Sequence, residues 1–273
     1  MSRGQHKKRY TEKGLTIAEE QFLWDIKESK TASLPSPAKI VEKAANSVLS
    51  GRTGDAVYVK AHFSELISKI ESEAHQTYRG AELASSSNAL ISQFKAQTKS
   101  AGSIDDALIS IFHDNYPVLN EYFLSLRQSR ASRAGDAFEN IVARLFDLVG
   151  VPYDSQPVIN GKPDFLLPSE EHYRNNAMDC IVFTLKRTLK ERWRQITTEG
   201  SKGIGFFLGT LDTEKNESEL TEMRENRIHL VVPCEIKLSV SAYKKAQNVI
   251  SFEEFFRDYI DPAIERWSNK KVI

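Results

Sequence analysis

Apolar residues recur at helical spacing through the first hundred residues of the chain. Thr16-Ile17-Ala18-Glu19 has the pattern of a capping box, in which the Thr16 hydroxyl accepts from the Glu19 N–H and the Glu19 carboxylate reaches back. Ser36-Pro37 supplies an N-cap and a first-turn proline, and the apolar positions that follow stop at Ser50-Gly51. Further helices are predicted at about 55–75, 80–98 and 104–128, with a break at 84–88.

The pattern changes after about residue 130, where short apolar runs begin to alternate with helices. Residues 135–149 form an amphipathic helix, 187–199 have helical character, and 251–267 close the chain as another amphipathic helix. Four strands are predicted at about 164–167, 177–186, 204–208 and 228–232. This order predicts an α/β fold, with a mixed central sheet flanked by helices and an N-terminal all-helical lobe.

Charge is distributed unevenly along a chain whose formal net charge is +0 over 273 residues. Affinity for a polyanion must therefore come from local clusters. Residues 1–14 and 186–202 each sum to plus four. A solvated tail is the simpler interpretation of the first cluster, which leaves the second as the candidate surface for a polyanion.

The two cysteines, Cys180 and Cys234, form no CxxC motif and no zinc-type spacing with histidine. A disulfide framework and a structural zinc site are therefore not supported. No apolar run approaches the ~20 residues that span a bilayer, and the N-terminus has no apolar signal core. We expect a cytoplasmic protein that is not bound to a membrane.

Asp164 and Lys186 are the first candidates for chemistry. Side chains alternate along a strand, so Lys186 is expected to emerge on a defined face at the end of its strand, beside Asp164 on the neighbouring strand. A carboxylate can hold Mg²⁺, and a lysine can orient or help deprotonate an attacking water. The pair therefore suggests metal-dependent hydrolysis of a phosphodiester.

The charged segment after Lys186 can be tested by helix geometry. Glu199 follows Arg192 by seven residues, which puts the two within about 20° on one helix face and roughly 10 Å apart. A helix that presents Arg192 to DNA would thus also point Glu199 toward it. Glu199 is therefore a candidate second carboxylate for the metal.

Several motifs together carry a family resemblance. They are Pro163-Asp164, Thr184-Leu185-Lys186 with its lysine 22 residues after the aspartate, Lys190–Gln195, Glu199, and a preceding helix segment at 129–139. This pattern resembles the type II restriction endonucleases of the EcoRII/NgoMIV group, which have the PD-(D/E)xK fold and targets containing CCGG. The resemblance covers about residues 127–202. Each motif alone is weak, and the combination is specific.

The resemblance implies roles for individual residues. Asp164 corresponds to the metal ligand, Lys186 to the catalytic lysine, Glu199 to a displaced acid, and Glu139 to a supporting helix carboxylate. Thr184 departs from the usual D/E-x-K pattern, because a hydroxyl cannot replace a carboxylate as a strong metal ligand. The group accepts this departure because its acid has moved onto the following helix.

DNA contacts follow from the same resemblance. Lys190, Glu191 and Arg192 correspond to the triplet that reads C-C/G-G steps, by donation to guanine O6 and N7 and acceptance from cytosine N4. Lysine at the first position lacks the rigid fork of arginine. Phosphate contacts are expected from Arg194, Arg187 and Lys202, and the same role is open to three arginines at three-residue spacing, Arg127, Arg130 and Arg133.

The resemblance implies an Mg²⁺-dependent enzyme that cuts double-stranded DNA at a palindromic site containing CCGG, or CC and GG split by a central base pair, and leaves 5′ overhangs. A homodimer is expected, with its pairing into tetramers left open, together with a cognate DNA methyltransferase in the same cell. Residues 105–273 would form the catalytic domain. Residues 1–104 would serve in packing, dimer contacts or DNA-backbone contacts.

Two alternatives remain open at this stage. A repair or junction-resolving nuclease of the same fold would share Asp164 and Lys186 but would have no use for a sequence-reading triplet. A DNA-binding regulator without cleavage would keep the basic helix. The intact carboxylate and lysine set speaks against the regulator.

Overall fold

The structure is a computed structural model that describes residues 14–99, 101–159, 162–189 and 206–273.

The predicted capping box starts the first helix. Thr16 Oγ1 accepts from Glu19 N at 3.3 Å, and Glu19 Oε2 accepts from Thr16 N at 2.6 Å. These bonds begin α1 (Ile17–Ser33). Ser36 Oγ likewise accepts from Lys39 N at 3.4 Å in the first turn of α2 (Pro37–Leu49).

The helices that follow differ in their bounds from those that the apolar pattern predicts. They are α3 (Ala56–Ala61), α4 (Phe63–Lys99), α5 (Ile104–Leu108), a π-helical segment (Ile109–Asp114) and α6 (Tyr116–Val149). The break predicted at 84–88 is wrong: Ser85 and Ser86 are buried at helical spacing with Ala89, so α4 continues through them. None of the helices in the described ranges combines the length and apolar character needed to cross a membrane.

The described chain divides into two compact units. The helical unit comprises residues 14–40 and 75–133, and the sheet unit comprises 41–74 and 134–273. The helical unit has its own apolar core, formed by Leu15, Leu23, Ile26, Ala89, Val118, Tyr122 and Leu126. The division falls within α2, α4 and α6. The domain boundary between residues 104 and 105 stays a prediction.

A six-stranded mixed sheet organises the sheet unit, and its strand order follows the chain. The strands are β1 (Asp154–Ser155), β2 (Phe165–Leu167), β3 (Ile181–Leu185), β4 (Phe206–Gly209), β5 (Ile228–Val232) and β6 (Val249–Ser251). β1, β2 and β3 pair antiparallel, whereas β3 to β6 pair parallel. This arrangement confirms the predicted fold class.

Shorter helices connect and cover the strands. They are α7 (Glu170–Asn176), a 3-10 turn (Ala177–Asp179), α8 (Glu217–Glu225), α9 (Cys234–Ser239), α10 (Ser241–Lys245), α11 (Phe252–Phe255), a π-helical segment (Phe256–Ile260) and α12 (Asp261–Asn269). The strand predicted at 177–186 is shorter, because the 3-10 turn occupies its first residues. The helix predicted at 187–199 is wrong for residues 187–189, whose backbone forms hydrogen bonds with side chains near β4. Residues 190–199 lie outside the described residues.

The two faces of β3 pack against different cores, as strand alternation predicts. The Phe183 ring lies 5.0 Å from Phe255 and 6.0 Å from Phe146. Cys180 and Val182 instead belong to a second buried cluster on the opposite face. This packing fixes which face of β3 each side chain takes.

Gly209 allows β4 to approach β3 closely. A Cβ atom added there would lie 2.3 Å from Leu185 Cδ2 and 2.9 Å from Phe183 Cζ, which is closer than carbon atoms can approach. The missing side chain therefore keeps the end of β4 against the end of β3, where Lys186 N donates to Gly209 O at 2.9 Å.

Asp179 joins the start of β3 to the last helix. Its carboxylate accepts from Arg266 Nε at 2.8 Å and from Lys270 Nζ at 2.9 Å, and it bonds His172 Nε2 at 3.1 Å. Its carbonyl accepts from Trp267 Nε1 at 2.9 Å. Burial alone would raise the pKa of Asp179, but these side-chain hydrogen bonds lower it to about 2.

Asp179→Asn is expected to lower the free energy of unfolding by about 1–3 kcal/mol at pH 7, because charged hydrogen bonds are lost. A depressed pKa in the folded protein adds stability that is complete above pH 3.8 and is lost as the pH falls through about 2. The difference from the wild type should therefore shrink between pH 4 and 2 in urea unfolding. Asp258→Asn, which breaks the exposed pair with Arg257, should cost less than about 1 kcal/mol. An Asp179→Asn deficit that is as large at pH 2 as at pH 7 would contradict this account.

Candidate active site

Strand pairing brings Asp164 and Lys186 together. Phe165 of β2 pairs with Phe183 of β3, so the residue before β2 meets the end of β3. Lys186 Nζ donates to Asp164 Oδ2 at 3.4 Å, and Leu185 N donates to the same oxygen at 2.6 Å. The predicted proximity of the two side chains is thus present in the structure.

The Asp164 carboxylate is held in a poorly solvated place. Asp164 is 8% exposed, whereas the Lys186 side chain is 39% exposed. Burial, the largest influence, raises the pKa of Asp164 above its ordinary value, although Lys186 and the Leu185 N–H oppose this shift. The site therefore has a desolvated acid beside a lysine whose side chain is partly exposed to solvent.

Glu139 on α6 shares the electric field of this pair. Burial raises the pKa of Glu139 to about 7, the negative charge of Asp164 adds to the shift, and Lys186 opposes it. Glu139 follows the buried Phe138, whose ring anchors this turn of α6 in the core. Two carboxylates that interact with the same lysine carry excess negative charge when both are ionised, and a divalent cation relieves such a charge pattern.

The donors within the described ranges fit a Mg²⁺ ion that keeps most of its water. Among these residues, no three histidine, cysteine or acidic side chains lie close enough together to hold a metal ion. Asp164 and Glu139, whose charges influence each other, are the two candidate carboxylates, and Mg²⁺ is commonly bound through one or two carboxylates with waters in the remaining positions. Glu199, the third predicted acid, lies outside the described residues.

Thr184 occupies the strand position at which a D/E-x-K motif has its acid. It is 2% exposed, and its hydroxyl has no hydrogen-bond partner among the described residues. The register of Phe165 with Phe183 places it opposite Asp164. A second acid at this buried position would face Asp164 directly, so the hydroxyl lowers the negative charge next to the aspartate.

The polar residues after β4 hold the chain that follows Lys186, and the sequence patterns did not single them out. Asp212 Oδ2 accepts from Leu189 N at 2.7 Å, and Thr210 Oγ1 donates to Arg187 O at 3.3 Å. Asp212 is itself held through its carbonyl, which accepts from Tyr243 OH at 2.9 Å. Sequence analysis could have found Thr210 and Asp212 from their position at the carboxyl end of a strand parallel to β3. They fix the backbone immediately before Lys190.

Three of the predicted DNA-binding arginines have partners in the protein. Arg187 Nε donates to Glu71 Oε1 at 2.8 Å in the sheet unit. In the helical unit, Arg130 Nε donates to Glu82 Oε2 at 2.7 Å, and the Arg133 guanidinium lies 5.5 Å from the centre of the Tyr78 ring. Five other predicted contacts, Lys190, Glu191, Arg192, Arg194 and Lys202, lie outside the described residues.

Residues 99–256 match the family model described as EcoRII C terminal. The type II restriction enzyme SsoII of Shigella sonnei is 30% identical over 171 residues, which cover 58% of this chain and 55% of that enzyme. The type II restriction enzyme EcoRII of Escherichia coli is 35% identical over 118 residues, or 41% of this chain and 29% of that enzyme. The matches thus span about half or less of these curated relatives.

Two solved structures share the fold. Metal-depleted Ecl18kI in complex with uncleaved, modified DNA has a TM-score of 0.80 at 24% identity, covering 92% of this chain and 86% of that one. The restriction endonuclease PspGI in complex with substrate DNA has a TM-score of 0.62 at 21% identity, covering 89% and 98%. At these identities the likeness concerns the fold.

Glu139→Gln is expected to stabilise the metal-free protein at alkaline pH. The raised pKa means that ionising Glu139 opposes folding; this penalty is absent well below pH 4.5 and complete above about pH 7. The variant should gain on the order of 1–3 kcal/mol over the wild type at pH 8, and much less at pH 5. Urea unfolding with a chelator present measures both values. An equal difference at the two pH values would show that Glu139 does not carry this shift.

Proposed function

Because the chain belongs to the EcoRII C-terminal family, we propose that it is a type II restriction endonuclease, which hydrolyses phosphodiester bonds of double-stranded DNA at a palindromic site. The observation that carries this proposal is the desolvated Asp164 paired with Lys186 at adjacent strand ends, with Glu139 in the same field. Acids beside a lysine on one sheet edge are suited to metal-assisted hydrolysis of a phosphodiester.

We assign Asp164, Glu139 and Glu199 to a Mg²⁺ ion. When bound, Mg²⁺ neutralises charge on the phosphoryl oxygens and favours formation of a hydroxide nucleophile. Among the described residues, Leu185 N and Lys186 Nζ donate hydrogen bonds to the Asp164 side chain, and these fall on Oδ2. We therefore assign Oδ1 to the cation. The Leu185 N–H fixes the carboxylate in that orientation.

Lys186 is assigned to orient the attacking water and to take part in its deprotonation. Its backbone is held by Gly209 O, and its ammonium is directed by Asp164 while 39% of the side chain stays exposed. An ammonium at this place can orient a water for attack and take part in its deprotonation. The lysine thus combines a fixed backbone with an accessible amine.

Sequence reading is assigned to the residues that follow 187–189, whose backbone Asp212 and Thr210 hold. Lys190, Glu191 and Arg192 follow Leu189 directly, and we assign them to guanine and cytosine edges of a CCGG core, intact or split by a central base pair. Arg194, Arg187, Arg130 and Arg133 are assigned to phosphates. For Arg187 and Arg130, this requires DNA to compete with Glu71 and Glu82.

A palindromic target calls for a two-fold symmetric protein, so the active form is a homodimer in which each subunit cuts one strand. The family resemblance further implies 5′ overhangs and a cognate methyltransferase that protects the host DNA. Whether two dimers join into a tetramer is decided by the sedimentation of the DNA-bound protein.

Incubation of plasmid with wild-type protein and Mg²⁺ should give discrete fragments, and Lys186→Ala should reduce the cutting rate by at least about 10²-fold, because water activation is lost. Specific binding should remain measurable by gel shift. The control is Lys245→Ala, which removes an exposed lysine paired with Glu217 and should cut normally. Structure-dependent nicks would indicate a repair nuclease instead, and retarded but intact plasmid a regulator. If the Lys186→Ala variant cuts plasmid at the wild-type rate, Lys186 has no catalytic role.

Arg192→Ala should weaken binding of the cognate site by ~1–3 kcal/mol and affect nonspecific DNA much less, because a base contact is lost. Arg194→Ala is the matched comparison and should weaken both DNAs alike, as expected for a phosphate contact. Fluorescence anisotropy at one fixed salt concentration gives both affinities. If Arg192→Ala weakens the two DNAs equally, Arg192 contacts phosphate rather than a base.

A further inference from the structure

Hydrogen bonds join the chain that leaves β3 to the chain that leaves the parallel strand β4. Thr210 Oγ1 donates to Arg187 O at 3.3 Å, and Leu189 N donates to Asp212 Oδ2 at 2.7 Å. Thr210 and Asp212 are both buried. A hydrogen bond to a carboxylate is stronger than one between neutral groups. The bond from Leu189 to Asp212 is therefore the stronger of these two attachments.

Both carboxylate oxygens of Asp212 accept from backbone donors. Oδ1 accepts from Glu214 N at 2.8 Å, while Oδ2 accepts from Leu189 N. The carboxylate thus bridges two backbone segments that each present an N–H group. An asparagine has only one side-chain oxygen, so its NH₂ group would face one of the two N–H groups as a second donor. The position therefore needs an acid, because only an acid can accept on both sides.

Asp212 follows β4 at the edge of the sheet that also holds Asp164 and Lys186, but its carboxylate is engaged differently. Among the described residues, the donors to Asp164 fall on Oδ2, whereas Asp212 uses one oxygen for each backbone donor. A carboxylate with both oxygens engaged in this way is suited to hold backbone rather than to bind a cation. Asp212 therefore differs in role from Asp164.

Tyr243 attaches the backbone around Asp212 to the core of the sheet unit. Its hydroxyl donates to Asp212 O at 2.9 Å and accepts from Lys215 N at 3.3 Å. The Tyr243 side chain is fully buried and belongs to the apolar cluster that also contains Val182 of β3. The position of Leu189 is thus tied, through Asp212 and Tyr243, to the same core that fixes β3.

We propose that Asp212 is a positioning residue for sequence recognition, on whose carboxylate the discrimination between cognate and other DNA depends. Lys190 follows Leu189 directly, and consecutive Cα atoms lie about 3.8 Å apart, so Asp212 holds the chain one residue before the first assigned base contact. Lys186 is held separately, because its N–H donates to Gly209 O. Release of Leu189 should therefore impair recognition and leave the catalytic lysine in place. The inference rests on the proposed function, since it requires the residues after Leu189 to read bases.

Asp212→Asn in the full chain tests this role. Fluorescence anisotropy with a chelator present measures affinity for the site mapped from the plasmid fragments and for an unrelated duplex. The dissociation constant of the cognate site should rise at least about tenfold and that of the unrelated duplex less than about twofold, because base contacts need alignment and phosphate contacts carry no sequence information. At saturating protein and Mg²⁺, the single-turnover cutting rate should stay within about threefold of wild type, because Asp164 and Lys186 are unchanged.

The matched control is Asn248→Ala, which removes another buried side chain that holds backbone in the sheet unit. Asn248 Nδ2 donates to Leu220 O at 3.0 Å and to Ile228 O at 3.2 Å, before β5 and β6 at the opposite edge of the sheet. This variant should lower the free energy of unfolding in urea and leave both dissociation constants unchanged. A loss of folded protein alone lowers the active fraction without altering the affinity of the molecules that remain folded.

A double variant tests whether Asp212 acts through the base-reading residues. If it does, Arg192→Ala and Asp212→Asn together should weaken cognate binding by clearly less than the product of their separate effects, because both remove the same contact. Effects that multiply would show that Asp212 acts elsewhere and would overturn the proposal.

The other outcomes separate the inference from the proposed function. Equal weakening of cognate and unrelated DNA by Asp212→Asn, or unchanged cognate binding, overturns the positioning role while wild-type fragments still support the endonuclease. Lost cutting with intact cognate binding would make Asp212 part of the metal site and also overturns that role. A wild type that binds all duplexes alike and gives no fragments counts against the proposed function, and the inference falls with it.

Discussion

The antiparallel register between β2 and β3 is the constraint on which the site depends. Pairing Phe165 with Phe183 puts Asp164 beside Lys186, and a slip of one residue would turn every β3 side chain to the opposite face. Aromatic packing around Phe183 and the close approach permitted by Gly209 oppose such a slip. The apolar core thus determines the chemistry, because it sets which two charged side chains meet at the sheet edge.

Asp179, Asp164 and Glu139 differ in their electrostatic surroundings. Asp179 is surrounded by donors that lower its pKa, so its charge stabilises the fold. Asp164 and Glu139 are partly or largely buried with one lysine to share, and their pKa values are raised. A carboxylate whose negative charge the fold does not fully neutralise is suited to bind a cation or transfer a proton. The contrast separates a structural anchor, just before β3, from a reactive site at the other end of that strand.

The sequence predicted the parts of the fold and the site that depend on local pattern. The apolar run at 228–232 is β5, and the family resemblance carried by the Asp164 and Lys186 motifs is confirmed by the family match. Helix continuity through Ser85 and Ser86 was missed because tertiary burial decides it. Edge strands of two or three residues, such as β1, are too short to show a period. Asp212 acts through the topology of parallel strands, which no local pattern reveals.

The central claim is that Asp164 binds a divalent cation next to Lys186. Anomalous diffraction from crystals of the protein with DNA and Mn²⁺ measures this directly, since Mn²⁺ prefers the same oxygen ligands as Mg²⁺. The account predicts an anomalous peak within about 2–2.5 Å of an Asp164 carboxylate oxygen, with Lys186 Nζ near the scissile phosphate. A Mn²⁺ peak elsewhere, with Asp164 still bound only to Lys186 and the Leu185 N–H, would contradict it.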